Sequence, residues 1–291
     1  MFSGSLVAIV TPMLASGEID RAAWLRLLDL HLDNATAGVI VGGTTGESAT
    51  LLEAELRELT TTALEHVAGR MKVIAGAGTS STAESVARAR WLSALGVDGL
   101  LVVTPAYVKP TQEGLIRHFT AVAEASSVPI LLYNVPGRTA VDLLPPTVAR
   151  LATVPNIVAL KEAVGDIERV RELQRLAPGI ALLSGDDATC REAVLAGAKG
   201  VISVTANVAP REMADMIAAA LEGDATRAGR IDARLAGLHE NLFVEANPIP
   251  VKWVLERMGL IGQGIRLPLT PLSNRFQSRV FAAMERAGLT G

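Results

Sequence analysis

The feature that most constrains the fold is a regular alternation of short apolar runs with segments of helical periodicity. The apolar runs are rich in Val, Ile and Leu, and they occupy residues 6–10, 38–41, 72–76, 98–103, 129–134, 157–160, 180–184 and 200–204. Runs of this length and composition are typical of strands that are buried on both faces of a parallel sheet. We therefore expect each run to be a strand of one such sheet.

The segments between these runs carry apolar residues at helical spacing. The clearest of them are residues 21–34, 51–68, 83–95, 112–125 and 167–177. Side chains that can cap a helix precede several of them: Asp20, Thr111, and two capping boxes that begin at Thr50 and Ser81. Strand and helix therefore alternate along roughly the first 220 residues.

About eight such units predict an α/β protein, a (β/α)8 TIM barrel with a C-terminal helical extension. An open, doubly wound dinucleotide fold would normally carry G-x-G-x-x-G after its first strand, and residues 10–14 contain nothing similar. Beyond residue 223 the pattern indicates only helices, at roughly 224–240, 249–258 and 273–287. The predicted organisation is a catalytic barrel at 1–223 and a helical appendage at 224–291.

Composition and charge narrow the function classes. The net charge is −3, and the basic residues are scattered rather than gathered in a stripe, which argues against nucleic acid as a partner. One cysteine and four scattered histidines argue against a disulfide and against a metal site. No segment approaches the ~18 apolar residues of a membrane span, so we expect a soluble, unprocessed, cytoplasmic protein.

Candidate chemistry is sought where barrel strands end, because side chains at the carboxyl ends of the strands face the active site. The sequence GGTTGES at 42–48 leaves the second strand. Its small residues let backbone amides and threonine hydroxyls approach an anion such as a carboxylate. The alternative is that these residues only form the turn and the helix cap.

Lys161 follows the apolar run 157–160, which places an ammonium group near the end of a buried strand. Burial of a lysine is costly, and loss of water favours the neutral amine that can attack a ketone and form an iminium. Lys161 is therefore the candidate nucleophile. The alternative is a salt bridge to Glu162 at the barrel rim.

Other polar residues follow neighbouring strands. Tyr133 ends the fifth strand and is followed by a tight Pro-Gly turn and by Arg138. A phenol and a guanidinium on one rim suit proton transfer and carboxylate binding. Tyr107 follows the fourth strand, and SGDD at 184–187 ends the seventh. The alternatives are that Tyr133 is only a buried core residue and that Arg138 is only a surface residue.

Six motifs together resemble the dihydrodipicolinate synthase family, within the class I pyruvate-dependent aldolase superfamily that includes N-acetylneuraminate lyase. They are GGTTGESATL at 42–51, TPAYVKP at 104–110, YNVPGRT at 133–139, LKEA at 160–163, SGDD at 184–187 and NPIPVKW at 247–253. The similarity covers essentially the whole chain. It implies a lyase of diaminopimelate and lysine biosynthesis that condenses pyruvate with L-aspartate 4-semialdehyde, without a cofactor or a metal.

The resemblance also implies roles for single residues. Lys161 would form the Schiff base, while Tyr133 would relay protons with Thr44 and with Tyr107 of a neighbouring subunit. Thr45, Gly185 and Ile202 would surround pyruvate, and Arg138 would hold the carboxylate of the aldehyde. Sugar-acid and sialic acid lyases generally lack this arginine, and a catalytically silent metabolite-binding barrel would be expected to have lost such residues.

The resemblance further implies a homotetramer, a dimer of dimers, because Tyr107 would complete a neighbour's site. An allosteric lysine pocket at the dimer interface would involve Ser48, Ala49, Ser80 and Glu84. Departures from lysine-regulated relatives stand at Ala106, Leu56, Glu53 and Ser80. Loss of an aromatic wall and of hydrogen-bonding groups weakens such a pocket, so we expect weak or absent inhibition by L-lysine.

Overall fold

The computed structural model describes residues 2–289; Met1 and residues 290–291, the ends of the two predicted units, lie outside this range. Within it, eight parallel strands close into a barrel in sequence order. The strands are β1 Gly4–Ala8, β2 Gly38–Val41, β3 Lys72–Gly76, β4 Gly99–Val103, β5 Ile130–Asn134, β6 Ile157–Glu162, β7 Ala181–Ser184 and β8 Gly200–Ser203. The predicted (β/α)8 barrel is confirmed.

Helices connect the strands around the outside of the barrel. They are α1 Arg21–Asp33, α2 Glu53–Val67, α3 Thr82–Ala94, α4 Gln112–Glu124, α5 Pro136–Thr139, α6 Pro145–Leu151, α7 Ile167–Leu176, α8 Cys190–Leu195 and α9 Pro210–Leu221. Three further helices follow: α10 Ala225–Asn241, α11 Ile249–Arg257 and α12 Asn274–Ala287. Helix α10 packs on α8, α9 and α12, so the predicted C-terminal helices cover one side of the barrel.

Helix starts agree with the sequence at Asp20 and Thr111 and differ from it at the two predicted capping boxes. The side chains of Asp20 and Thr111 cap α1 and α4 as predicted. The Ser81 hydroxyl caps α3, but its N–H donates to Thr79 Oγ1 rather than to Glu84, so only half of the predicted box forms. The capping box predicted at Thr50 is wrong, because the Thr50 hydroxyl donates to the carbonyl of Glu47 within the preceding loop. Helix α2 begins later, after Leu52, whose N–H donates to the Glu55 carboxylate at 2.8 Å.

The described part of the chain, residues 2–289, forms two separate apolar clusters, because alternate residues of a strand point to opposite faces. The inner cluster fills the barrel with residues such as Leu6, Ile40, Ile74 and Leu131. The larger outer cluster joins the outward faces of the strands to the helices. Lys161 is two residues from Ala159 of the inner cluster, so the lysine points into the barrel while Glu162 points out.

Within residues 2–289, none of the helices combines the length and the apolar character that a membrane crossing requires.

Candidate active site

A cavity of about 140 Å³ opens at the carboxyl end of the barrel. Its walls come from seven of the eight barrel strands or the loops after them and from the C-terminal segment between α10 and α11. The lining residues are Ala8, Gly43, Thr44, Thr45, Leu101, Tyr133, Val135, Arg138, Lys161, Ala163, Gly185, Asp186, Val204, Phe243 and Asn247. Six of the eight residues predicted for catalysis and substrate binding therefore meet in one place.

Lys161 lies at the centre of this cavity with its side chain almost buried. Its Nζ lies 4.4 Å from the centroid of the Tyr133 ring, and it forms no salt bridge with any residue in 2–289. Glu162 pairs instead with Arg169, at 2.8 Å, on the outer face of the barrel. The alternative of a Lys161–Glu162 salt bridge is therefore excluded, because successive strand residues point in opposite directions.

A buried polar network behind the barrel wall holds β5 and β6 in register. Asn134 and Glu162 are backbone partners across the two strands, and the Asn134 amide donates to both Glu162 carboxylate oxygens at 3.1 Å. The Arg169 guanidinium bridges Glu162 and Asp142. Burial raises the pKa of Glu162, and the charge of Arg169 opposes this effect. The network fixes the strand pair that carries Tyr133 and Lys161 on its other face.

Gly185 makes room for the lysine side chain. Its N–H donates to the carbonyl of Glu162 at 2.7 Å, which draws the end of β7 against β6. A Cβ at this position would lie 2.9 Å from Lys161 Cε and 2.8 Å from Ala163 Cβ. Any side chain at Gly185 would therefore displace the Lys161 side chain or the adjoining wall.

The loop after β2 presents Thr44 and Thr45 to the cavity. Gly42 has φ +63°, and a Cβ there would lie 2.3 Å from Leu56 Cδ1, so this turn requires glycine. Glu47 also has a positive φ, and its fully buried carboxylate contacts Lys252 of α11. The ion pair thereby anchors the loop to the C-terminal helices.

Arg138 lies on the short helix α5 at the mouth of the cavity, and the Pro-Gly turn predicted there is the first turn of this helix. Its guanidinium donates to the backbone carbonyl of Asn247 at 3.4 Å. A charged group at a cavity mouth can receive a carboxylate from the approaching substrate.

Two predicted residues do not line the cavity. Tyr107 is 92% exposed and has φ +74°, and within the single chain it lies outside the site. Ile202 is fully buried in the inner barrel cluster, which also contains Tyr133, whereas Val204, two residues further on, lines the cavity. Within residues 2–289, no hydrogen bond links the hydroxyls of Tyr133 and Thr44, although both side chains face the same space.

The residues predicted for a lysine pocket are partly engaged with neighbours. Ser80 Oγ donates to the carbonyl of Ala106 at 2.8 Å, and Glu84 pairs with Arg88 at 2.9 Å. Ser48 is half-buried and Ala49 is exposed in the loop after β2. Leu56, which differs from the residue usual in lysine-regulated relatives, is buried against Gly42 and belongs to the outer apolar cluster of the barrel.

Sequence reasoning gave no role to several residues that build the site. Asn247, Phe243 and Lys252 come from the C-terminal segment, and Asn134 and Arg169 support the strands from behind. The signal for Lys252 was present, because VKW at 251–253 places a lysine within an apolar helical stretch. Nothing local indicated its partner, which lies 205 residues away.

Fold and site together define the class of protein: an aldolase-type lyase on a (β/α)8 barrel, with a lysine in the cavity at the carboxyl end of the barrel. The model of the dihydrodipicolinate synthetase family matches residues 1–287. The chain belongs to this family.

Individual relatives agree with this placement. A 4-hydroxy-tetrahydrodipicolinate synthase from Laribacter hongkongensis is 54% identical, over 99% of this chain and 100% of its own. One from Thioalkalivibrio sulfidiphilus is 55% identical over 100% of this chain and 99% of its own. The dihydrodipicolinate synthase from Acinetobacter baumannii, solved in complex with pyruvate, superposes with a TM-score of 0.98 at 46% identity, covering 99% of this chain and all of its own.

Proposed function

We propose that this protein condenses pyruvate with L-aspartate 4-semialdehyde and gives 4-hydroxy-tetrahydrodipicolinate, in the route to diaminopimelate and lysine. The observation that carries the proposal is the position of Lys161. Its amine lies inside a cavity at the carboxyl end of the barrel, with the Tyr133 ring beside it and no carboxylate paired to it among the described residues.

The proposed mechanism begins with attack of the Lys161 amine on the ketone carbon of pyruvate. Water leaves, and the resulting iminium draws electrons from the neighbouring methyl group, which loses a proton to give an enamine. Tyr133 moves the protons of these steps, together with Thr44 and with Tyr107 of a neighbouring subunit. The enamine carbon then attacks the aldehyde carbon. Finally the amino group of the second substrate displaces Lys161 and closes the ring.

The cavity offers separate positions for the two carboxylates. Thr45 and Gly185 line the same cavity as Lys161, and the carboxylate of a lysine-bound pyruvate would be held there. Ile202, which the resemblance also assigns to pyruvate, lies in the inner barrel cluster and would act only through the residues packed on it. Arg138 at the mouth would receive the carboxylate of the aldehyde. This arrangement supports an aldehyde with a charged group, and aspartate semialdehyde is the one proposed.

The test of the proposal is reduction with borohydride in the presence of pyruvate, followed by peptide mapping. Reduction converts the iminium into a stable secondary amine, so we expect a single adduct on Lys161. An adduct on Lys72, Lys109, Lys199 or Lys252 would refute the assignment. Turnover is then compared between aspartate semialdehyde and a panel of sugar-acid aldehydes. Preference for a panel member would place the chain with another lyase of the superfamily.

We further propose a homotetramer built as a dimer of dimers in the cytoplasm, with the barrel at 1–223 and the helical unit at 224–291. Support for assembly comes from Tyr107, whose exposed side chain lies outside its own site. Sedimentation combined with activity on dilution tests this, because a fully active monomer would contradict it.

We also propose weak or absent feedback by L-lysine through the pocket that includes Ser48, Ala49, Ser80 and Glu84. The engagement of Ser80 with Ala106 and of Glu84 with Arg88 supports this, since both groups would have to leave present partners. A lysine titration at saturating pyruvate tests it, and near-complete inhibition below millimolar lysine would contradict it.

A further inference from the structure

Asn247 lies in the segment between α10 and α11 and reaches the cavity from outside the barrel. The residue is 6% exposed, and its Nδ2 donates to Thr45 Oγ1 at 2.9 Å. Its backbone carbonyl accepts from the Arg138 guanidinium at 3.4 Å. One residue of the C-terminal segment therefore contacts both residues to which the proposed function assigns a substrate carboxylate.

The hydrogen bond from Asn247 determines whether the Thr45 hydroxyl donates or accepts a hydrogen bond in the cavity. A threonine hydroxyl has one proton to donate and lone pairs that accept. Because the Asn247 amide donates to the oxygen, one lone pair is occupied, and no acceptor among residues 2–289 receives the Thr45 proton. The proton is therefore free to point into the cavity. A carboxylate is an acceptor only, so it requires a donor there.

We propose that Asn247 is a positioning residue that holds the Thr45 hydroxyl as a hydrogen-bond donor toward the carboxylate of bound pyruvate. This inference rests on the proposed function, because it takes pyruvate as the cavity's ligand. Asn247 does not touch the reacting atoms, so its effect falls on pyruvate binding rather than on the chemical steps. The Asn247 Oδ1 atom is buried and has no hydrogen-bond partner among residues 2–289, so the side-chain amide makes one hydrogen bond within that range, the one to Thr45.

Two near-isosteric variants separate this role from simple packing. Asn247→Leu removes the donor, so we expect the half-saturating pyruvate concentration to rise about fivefold, the effect of one ordinary hydrogen bond. Asn247→Asp replaces the donor by an acceptor that turns the Thr45 proton away and adds negative charge, so a rise of more than about tenfold is expected. For Asn247→Leu, which adds no charge beside Arg138, kcat at saturation with both substrates is expected to change less than the half-saturating pyruvate concentration.

A double-mutant cycle measures the coupling between Asn247 and Thr45 in pyruvate binding. A purely structural role of Asn247 would not produce such coupling. In a Thr45→Val background no hydroxyl remains to be oriented, so adding Asn247→Leu is expected to leave the half-saturating pyruvate concentration unchanged. The matched control is Asn241→Asp at the end of α10, where a buried asparagine donates to the Gly237 carbonyl and does not line the cavity. This control is expected to leave pyruvate binding unchanged.

Failure of the positioning role and failure of the proposed function give different experimental results. Pyruvate dependence is measured both by steady-state rate and by the fraction of borohydride-trapped adduct, with thermal melting to confirm folding of each variant. If wild type forms no adduct, the proposed function fails. If the adduct forms normally and neither Asn247 variant shifts the half-saturating concentration, only the inference fails. An equal shift in the Thr45→Val background, or normal binding by Asn247→Asp, overturns it as well.

Discussion

Lys161 Nζ lies 4.4 Å from the centroid of the Tyr133 ring, and the two residues are backbone partners across β5 and β6. The parallel ladder thus fixes their spacing before either side chain makes a contact. An aromatic face attracts a nearby cation by about 0.5–2 kcal/mol, which applies to the lysine iminium as well as to its ammonium form.

The two expected functions of Tyr133 belong to different parts of its side chain: the ring attracts the Lys161 cation, and the hydroxyl transfers protons. Tyr133→Phe keeps the ring and removes the hydroxyl, so borohydride trapping of pyruvate on Lys161 is expected to reach a similar final yield. Turnover is expected to fall by about 10²-fold or more, the usual contribution of a positioned proton-transfer group. Adduct yield and kcat measured on one preparation check the split. Turnover near the wild-type level would remove Tyr133 from proton transfer.

Gly185→Ala is expected to impair the lysine directly. The added methyl group would lie within 3 Å of Lys161 Cε and of Ala163 Cβ, so one of them must move, at a cost of about 1–3 kcal/mol. Slower adduct formation should accompany the lower stability, measured by trapping kinetics and by denaturation. Gly179→Ala is the control, because a Cβ there meets nothing within 4 Å. Equal effects of both substitutions would contradict the proposed role.

Arg138→Ala is expected to harm use of the aldehyde while sparing pyruvate. Loss of a charged hydrogen-bond partner costs about 1.5–3 kcal/mol, so KM for aspartate semialdehyde should rise about tenfold or more. Adduct formation with pyruvate should change little. Arg117→Ala, on a largely exposed side chain, serves as the control. If trapping and aldehyde use decline together, Arg138 does not select the second substrate.

The Glu47–Lys252 ion pair is predicted to support both fold and site. Lys252→Met leaves the fully buried Glu47 carboxylate without its partner, which typically costs about 3–5 kcal/mol. The double variant Glu47→Gln with Lys252→Met should be less destabilised than the single one, because no lone charge remains. Arg211→Ala, which breaks the exposed pair with Asp215, should cost less than about 1 kcal/mol. Chemical denaturation measures the free energy of unfolding of each variant. Equal losses of that free energy in the buried-pair and exposed-pair variants would refute the prediction.

His31 is predicted to make the fold acid-sensitive. Complete burial lowers the pKa of His31 from 6.5 to about 3, so below pH 6.5 the unfolded chain takes up a proton that the folded chain does not. The stability is fully present above pH 6.5 and falls as the pH decreases toward 3.

His31→Gln removes this dependence. The free energy of unfolding is measured for both proteins from pH 8 to pH 4. Between pH 7 and pH 4 the wild type should lose on the order of 3 kcal/mol more stability than the variant loses. The value at pH 8 serves as the internal control for lost packing. A gap that does not change with pH would contradict the prediction.

The barrel was predictable from sequence because its strands are buried on both faces and therefore read as continuous apolar runs. Helix caps at Asp20 and Thr111 were predictable for a similar reason, since a cap is a contact over three residues. The error at Thr50 arose where a loop contact took the hydroxyl that a local motif assigned to the helix. That competing contact also spans three residues, so a capping motif predicts a helix start only where a neighbouring turn does not engage the same hydroxyl.

The sequence by itself determined the order of strands and helices and the kinds of side chain at the strand ends, Lys161, Tyr133 and Arg138 among them. Only the tertiary structure decided which charges are paired: Lys161 is left facing the cavity, whereas Lys252 meets Glu47 across 205 residues of chain. It also decided that Asn247 reaches Thr45 across 202 residues. The physical reason is that closure of the barrel and docking of the C-terminal helices create these contacts, and no spacing along the chain encodes them.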